Sequence, residues 1–369
     1  MGLKHIVCPD LYINAWKLEK QEEFNTGIDN LVDIEAENHK IELTEEEKYL
    51  GNIITTDGKN AKNIEARVKK AQGIIKQLKN IFEEMSFGTY VFEVAVILRN
   101  SLFINAILTN FEASYGLTIT DVEKLEKCDE QLIRLILECP SKTPKEMLYL
   151  ELGLTPIRYI IMSRRLMFYH YILNENEDSL INKFYKLQAR KPVKNDWSLT
   201  VRENLQELKI SLTEYQIQNL SKKAFQKIVK DTIRSAAFDY LIKLKNTHSK
   251  VAHISYKTLE MQDYLKPSMF PADLAKFTFL CRSRMLAVGE NYRQGNNFTT
   301  CPLCQNYTEA DSQLHLLKCV ELNSETIVNT KFPVYEDLFG QNIERKLNVA
   351  AVLKKNYSER VKLINEKSS

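Results

Sequence analysis

Glycine and proline are scarce in this chain, 11 and 9 of 369 residues. A turn-rich all-β protein needs more of both, so the scarcity favours long helices. The seven cysteines are odd in number and show no disulfide-framework layout. Cys8, Cys128, Cys139 and Cys281 stand singly; Cys128 and Cys281 lie in apolar helical contexts and read as buried free thiols in a reducing compartment. No uninterrupted apolar run is long enough to span a bilayer and no signal-peptide pattern is found, so an intracellular protein with no membrane partner is expected. A net charge of +3 says little about partners, and any basic surface must be local. There is no P-loop, dinucleotide fingerprint, Ser-centred nucleophile elbow or His-Glu-x-x-His, and no internal repeat. Nor does the sequence contain two adjacent aspartates.

What is present points first to a metal. Cys301-Pro302-Leu303-Cys304, followed by His315 and Cys319, reads C-x2-C-x10-H-x3-C. Three thiols and an imidazole at these intervals suit a closed tetrahedral zinc site, structural rather than catalytic because four protein ligands leave no position for an activated water. Pro302 stiffens the first turn. If Ser312 or Asp311 caps a helix, His315 and Cys319 share one helical face. The spacer is too long for a compact retroviral-type knuckle.

A composition of 44% hydrophobic and 27% charged residues is ordinary for a globular protein, and the length allows two or three structural units. His39 to Leu43 and Tyr49 to Ile54 alternate or cluster as strands, with Asp57-Gly58 as a turn, which predicts a small N-terminal β-hairpin. Lys59 to Phe82 predicts a basic amphipathic helix: Ile64, Val68, Ala71, Ile75 and Leu78 form its apolar side, while Lys62, Arg67, Lys69, Lys70, Lys76 and Lys79 crowd the rest. That face could follow the phosphate backbone of RNA or DNA, and it equally fits a solvated helix face. Gly88 to Thr109 reads as a core helix. Thr120 with Glu123 predicts a capping box for the next, whose inner stripe is Leu125, Leu132, Ile133 and Ile136. Pro144 to Leu152 and Pro156 to Asn174 read as two helices turning at Gly153. Basic and aromatic residues interleave in the second (Arg158, Tyr159, Arg164, Arg165, Phe168, Tyr169, His170), as in single-strand binders, but the helical spacing favours core. Residues 189–198 form a linker candidate. A long helix is expected from a Thr213 cap to Lys245, with a second basic face from Lys222 onward. Pro271 opens another helix that ends near Gly289, and Tyr335 to Ile364 reads as one or two amphipathic helices with a polar tail.

Several stretches carry a resemblance in the same linear order. They are Tyr49-Leu50-Gly51 with Asp57-Gly58-Lys59, Asn63-Ile64-Glu65-Ala66-Arg67, Leu98-Arg99-Asn100-Ser101-Leu102, and the run from Pro140 through Lys145-Glu146 to Leu150-Glu151-Leu152-Gly153. Arg282-Ser283-Arg284-Met285 ahead of the Cys/His motif completes the set. From about His39 to its end, the chain resembles the end of the palm, the thumb-like helical region and the cysteine-rich C-terminal region of non-LTR (LINE-type) retrotransposon reverse transcriptases. The resemblance implies a mainly α fold. Its expected segments are a palm-end remnant (1–58), a thumb-like region (59–188), the linker (189–198), a second helical region (199–295), the zinc motif (296–322) and a helical tail (323–369). It implies metal roles for Cys301, Cys304, His315 and Cys319, template-primer contacts for the helix around Lys62 to Lys79, and a nuclear or cytoplasmic setting. Polymerases of this kind hold two metal ions on a palm Asp-Asp pair. That pair is lacking here, and the fingers, most of the palm and the endonuclease domain are expected to be absent as well, so the polymerase activity does not carry over. Two readings remain: a non-catalytic fragment that binds RNA or DNA, and a helical module or inert relic that self-associates or docks to other retroelement proteins.

Overall fold

Helices dominate the computed structural model, as the shortage of glycine and proline predicts. It describes residues 35–36, 39–40, 45–49, 52–85, 90–114, 116–191, 193, 196–266, 270–291, 300–304, 310–322 and 335–368. Expectations for residues 1–34, for Arg293 and for the loop at 295–297 lie outside them.

The N-terminal hairpin is present with a different register from the expected one. Strand β1 (Glu35–Ala36) pairs with β2 (His39–Lys40), and β3 (Glu46–Tyr49) pairs antiparallel with β4 (Asn52–Thr55). Tyr49 thus ends the first strand of the main hairpin instead of opening the second, and faces Asn52 across it. Asp57-Gly58 turns the chain out of β4 into a helix; Gly58 takes a left-handed φ of 64°, which glycine adopts without strain.

The helices are α1 (Ala61–Met85), α2 (Val91–Leu98), which passes through a π-helical turn (Arg99–Phe103) into α3 (Ile104–Ile107), α4 (Ile119–Leu137), α5 (Lys145–Leu152) and α6 (Ile157–Asn174). They continue with α7 (Leu180–Arg190), α8 (Trp197–Glu207), α9 (Glu214–Asn219), α10 (Lys222–Thr247), α11 (Ala272–Arg282), α12 (Gln313–Leu316) and α13 (Ile343–Ser368). Three expected boundaries move, the first at α11, which ends at Arg282, well short of the expected Gly289. The box that opens α4 is made by Thr118 and Asp121: Thr118 Oγ1 accepts from the Asp121 N–H at 3.1 Å, and Asp121 Oδ2 accepts from the Thr118 N–H at 3.1 Å. Thr118 therefore does what Thr120 was expected to do, two residues earlier. Thr213 does cap a helix, in a full capping box with Gln216, but that helix is the short α9; extended backbone at Leu220 separates it from α10.

The chain divides into two compact units, residues 1–72, 105–127 and 157–233, and residues 73–104, 128–156 and 234–369. Both flanks of 189–198 fall in the first unit. Its core contains Ile64, Ala71, Ile107, Leu108, Phe111, Leu125, Ile161 and Leu166. An aromatic cluster of Phe168, Tyr169, Tyr185 and Trp197, with ring centroids 5.5–6.5 Å apart, adds to it. The Trp197 indole N–H donates to the Glu112 carbonyl at 2.8 Å, satisfying the polar edge of a buried ring. Tyr159, Tyr169 and His170 are buried, His170 bonded to the Leu220 carbonyl at 2.9 Å, so the core reading of α6 holds. The second unit packs Leu78, Phe92, Phe103, Leu132, Ile133, Leu150, Leu241, Phe279, Val349 and Leu353.

Candidate metal centre and basic helix face

The metal motif lies in the second unit. Cys301 follows a one-residue antiparallel bridge between Thr300 and Ala310. Ser312 caps α12, its hydroxyl accepting from the His315 N–H at 3.0 Å, as the sequence suggested. The Cys319 N–H then donates to the His315 carbonyl at 2.7 Å. This single turn sets the imidazole and the thiol side by side.

The ligating atoms of Cys301, Cys304, His315 and Cys319 all lie within 4.8 Å of one another. Cys301 Sγ is 3.9 Å from Cys319 Sγ, and Cys304 Sγ is 3.3 Å from His315 Nε2. Tetrahedral coordination at ordinary Zn–S and Zn–N lengths places ligand atoms about 3.5–3.8 Å apart, so the four converge on one ion-sized position. Cys301, His315 and Cys319 are buried and Cys304 is half-buried. Burial pushes the Cys319 thiol up to about 12, and the neighbouring Cys301 and Cys304 add to the rise. Metal ligation uses the thiolate form, so an ion at this position would displace the thiol protons. The group could hold a metal ion, and with four protein ligands its coordination would be closed.

No family model, curated protein or solved structure matches this chain. The functional reading therefore stands on the site itself. Among the described residues, no helix is long and apolar enough to cross a membrane.

The residues expected to contact nucleic acid divide into two groups. Lys62, Lys69, Lys70, Lys76 and Lys79 are exposed along α1, on the side away from buried Ile64, Ala71 and Leu78. Lys62 is paired with Glu46 at 2.6 Å and Lys79 with Glu83 at 3.6 Å. Lys69, Lys70 and Lys76 have no carboxylate partner among the described residues. Arg67 departs from the expected face: it is 4% exposed and its guanidinium is fully engaged inside. Nε donates to Asn63 Oδ1 at 3.2 Å, Nη2 to Asn52 Oδ1 and to the Thr109 carbonyl at 2.8 Å, and Nη1 to the Ile107 carbonyl. The group also lies over the Phe111 ring at 4.7 Å. Arg67 fastens α1 to β4 and to the end of α3, and offers nothing to a phosphate. A charged residue one helical step from the apolar stripe is ambiguous in sequence, because the two carbonyls that receive it lie 40 and 42 residues away.

Asp311, read as a possible cap, and two residues that sequence reasoning missed, Asn356 and Arg360, frame the metal motif. Asp311 is buried; its Oδ2 accepts from the Gly289 N–H at 2.8 Å and from Arg360 Nη2 at 2.5 Å. Asn356 donates to the Leu316 carbonyl at 2.7 Å. The only sequence signal of Asn356 and Arg360 is position, at spacing i and i+4 on the helix after the motif.

Proposed function

We propose that the chain is a non-catalytic nucleic-acid-binding protein, with a structural zinc ion on Cys301, Cys304, His315 and Cys319 and a lysine face on α1 that follows the phosphate backbone of RNA or DNA. The observation that carries it is the exposure of Lys69, Lys70 and Lys76 along one helix with no carboxylate partner among the described residues. Lys62 to Lys79 extend over about 26 Å of helix, enough to meet several successive phosphates. Thiolate and imidazole donors in a closed set favour zinc in a structural role. The reading agrees with derivation from the C-terminal part of a non-LTR retrotransposon reverse transcriptase, acting in the nucleus or cytoplasm. A polymerase role is set aside because the two-metal reaction needs paired carboxylates, and the sequence has no adjacent aspartates.

The test is a titration of zinc-loaded protein with fluorescent single-stranded RNA and DNA at several salt concentrations. Affinity should fall steeply with salt. The Lys69→Ala/Lys70→Ala variant should bind more weakly and lower the slope of log K against log salt by about 1.4 on single strands. An unchanged slope would remove these lysines from the interface.

A second reading is favoured by a separate observation. Ile81, Tyr90, Ile97 and Leu102 expose 40–59% of their surface within residues 81–102. Exposed apolar side chains in such density suit a helical interaction module that self-associates or docks to other retroelement proteins. Gel filtration with and without RNA separates the two: a dimer that ignores RNA supports the module, and a monomer shifted by RNA supports the binder.

A further inference from the structure

We propose that the C-terminal half of α13 forms an outer wall of the metal centre, with Asn356 and Arg360 as positioning residues for its ligands. This rests on the zinc reading above. His315 lies in a four-residue helix and Cys319 in the turn that follows it, and so short a helix cannot hold its own shape. It is fixed from outside at both ends. At its C-terminal end the Leu316 carbonyl, which has no partner within so short a helix, accepts from Asn356 Nδ2 at 2.7 Å. At its N-terminal end Asp311, the residue before the Ser312 cap, is gripped by Arg360. Arg360 Nη1 also reaches the Ala287 carbonyl at 3.3 Å, and Asp311 takes the Gly289 N–H, so one ion pair ties residues 287–289, the cap and α13 together.

The same face of α13 reaches the other ligand pair. Leu363 and Ile364 pack against Cys301, Leu303 and Cys319, and Lys367 Nζ donates to the Leu303 carbonyl at 3.3 Å. Positions 356, 360, 363, 364 and 367 follow the i, i+4, i+7, i+8, i+11 pattern of one helix face, over about 16 Å. A single stripe thus touches both the Cys301–Cys304 turn and the His315–Cys319 turn. Holding the ion and holding this half-helix are one event: the metal fixes the surface on which the stripe docks, and the stripe slows the opening through which the metal leaves.

The experiment measures zinc release from the zinc-loaded full chain into the chromogenic chelator 4-(2-pyridylazo)resorcinol. Asn356→Ala/Arg360→Met should release zinc about 10–100-fold faster than the natural sequence, and Arg360→Lys should recover part of the loss. Val349→Ala shortens a buried side chain on the same helix, outside the metal cluster, and should change release by no more than about 2-fold. Release at the natural rate from the double variant would overturn the proposal, and so would equal acceleration by Val349→Ala, which would mark a merely structural role. Hydrogen exchange on the unaltered protein decides the matter if the double variant does not fold. Zinc removal should strip protection from amides 356–367 while the middle of α10 keeps it, and unchanged protection at 356–367 would overturn the proposal. A natural chain that retains no zinc would refute the zinc reading itself, a result distinct from all of these.

Discussion

Replacing Glu151 by glutamine tests whether the second unit is organised around a buried charge. Glu151 is fully buried; its Oε1 accepts from the Tyr256 hydroxyl at 2.5 Å and Arg282 Nε at 2.9 Å, and its Oε2 from the Tyr264 hydroxyl at 2.8 Å. Arg282 is 1% exposed, donates through Nη1 to the Leu338 carbonyl at 2.9 Å, and lies over the Tyr264 and Phe339 rings. Burial works against its charge, but the Glu151 carboxylate outweighs that and holds the guanidinium firmly protonated. Glutamine keeps the shape and one acceptor while removing the counter-charge, so Arg282 remains as an unpaired buried cation. Breaking such a pair from one side costs about 3–5 kcal/mol. With a urea dependence of roughly 3 kcal/mol per molar, the midpoint of the second unit's transition should fall by about 1–2 M. The assay is urea denaturation of the zinc-loaded protein followed by far-ultraviolet circular dichroism. Glu151→Leu combined with Arg282→Met should cost less than the two single changes added, because no charge is then stranded. A midpoint loss below about 0.3 M in Glu151→Gln would refute the hub, since it would mean that Arg282 finds water or another anion.

Chelation of zinc should unfold the region around residues 300–322 while leaving the first unit's helices intact, because the binding energy of a closed site is folding energy; hydrogen exchange with and without EDTA checks it. Gly153→Ala should destabilise the second unit by about 3 kcal/mol or more, since φ is 66° there and an added Cβ would lie 2.3 Å from the Met261 nitrogen; the readout is the same urea midpoint. Lys346 is buried over the Tyr264 ring, and burial, then Arg282, pushes its ammonium down to about 8 against the opposing Glu151 and Asp263. The unfolded chain holds that proton up to about 10.4, so stability should rise between pH 8 and 9.5, below the range where the raised hydroxyls of Tyr256 and Tyr264 begin to oppose it. Lys346→Met should be more stable at pH 7 and lose this rise, as urea midpoints at pH 7 and 9.5 would show.

The parts of this fold that could be read in sequence are those set by local chemistry. Cys301, Cys304, His315 and Cys319 come together because a turn and one capped helical step bring each pair into place. Leu125, Leu132, Ile133 and Ile136 are buried because a 3.6-residue period needs no distant partner to declare its face. Some of what escaped was a choice between near neighbours, and some was settled by contacts remote in sequence. Thr120 and Thr118 were equally good caps, and only Asp121 decided between them. Asn356 and Arg360 read as the wet side of an amphipathic helix, because polarity normally marks that side; the carbonyl and carboxylate that receive them lie 40 and 49 residues away.

The same physics limits what the resemblance to reverse transcriptases can support. Its motif residues include Arg67, Arg99, Glu151, Gly153 and Arg282, and each serves the interior. Arg67 binds Asn63, Asn52 and two carbonyls, and Arg99 forms a buried pair with Asp129 and reaches the Thr155 carbonyl at 3.0 Å. Glu151 and Arg282 hold each other, so the second and third of the resembling stretches behave as internal fasteners and the fourth and the last are joined by one ion pair. Side chains committed in this way are not available to a template, a primer or a metal. Groups free to meet a polyanion include Lys69, Lys70 and Lys76, which lie just beyond the Asn63–Arg67 motif, and the exposed Lys222, Lys223, Lys227 and Lys230 of the second basic face on α10. Binding therefore has to be argued from exposed lysines such as these, whose worth the salt dependence measures directly.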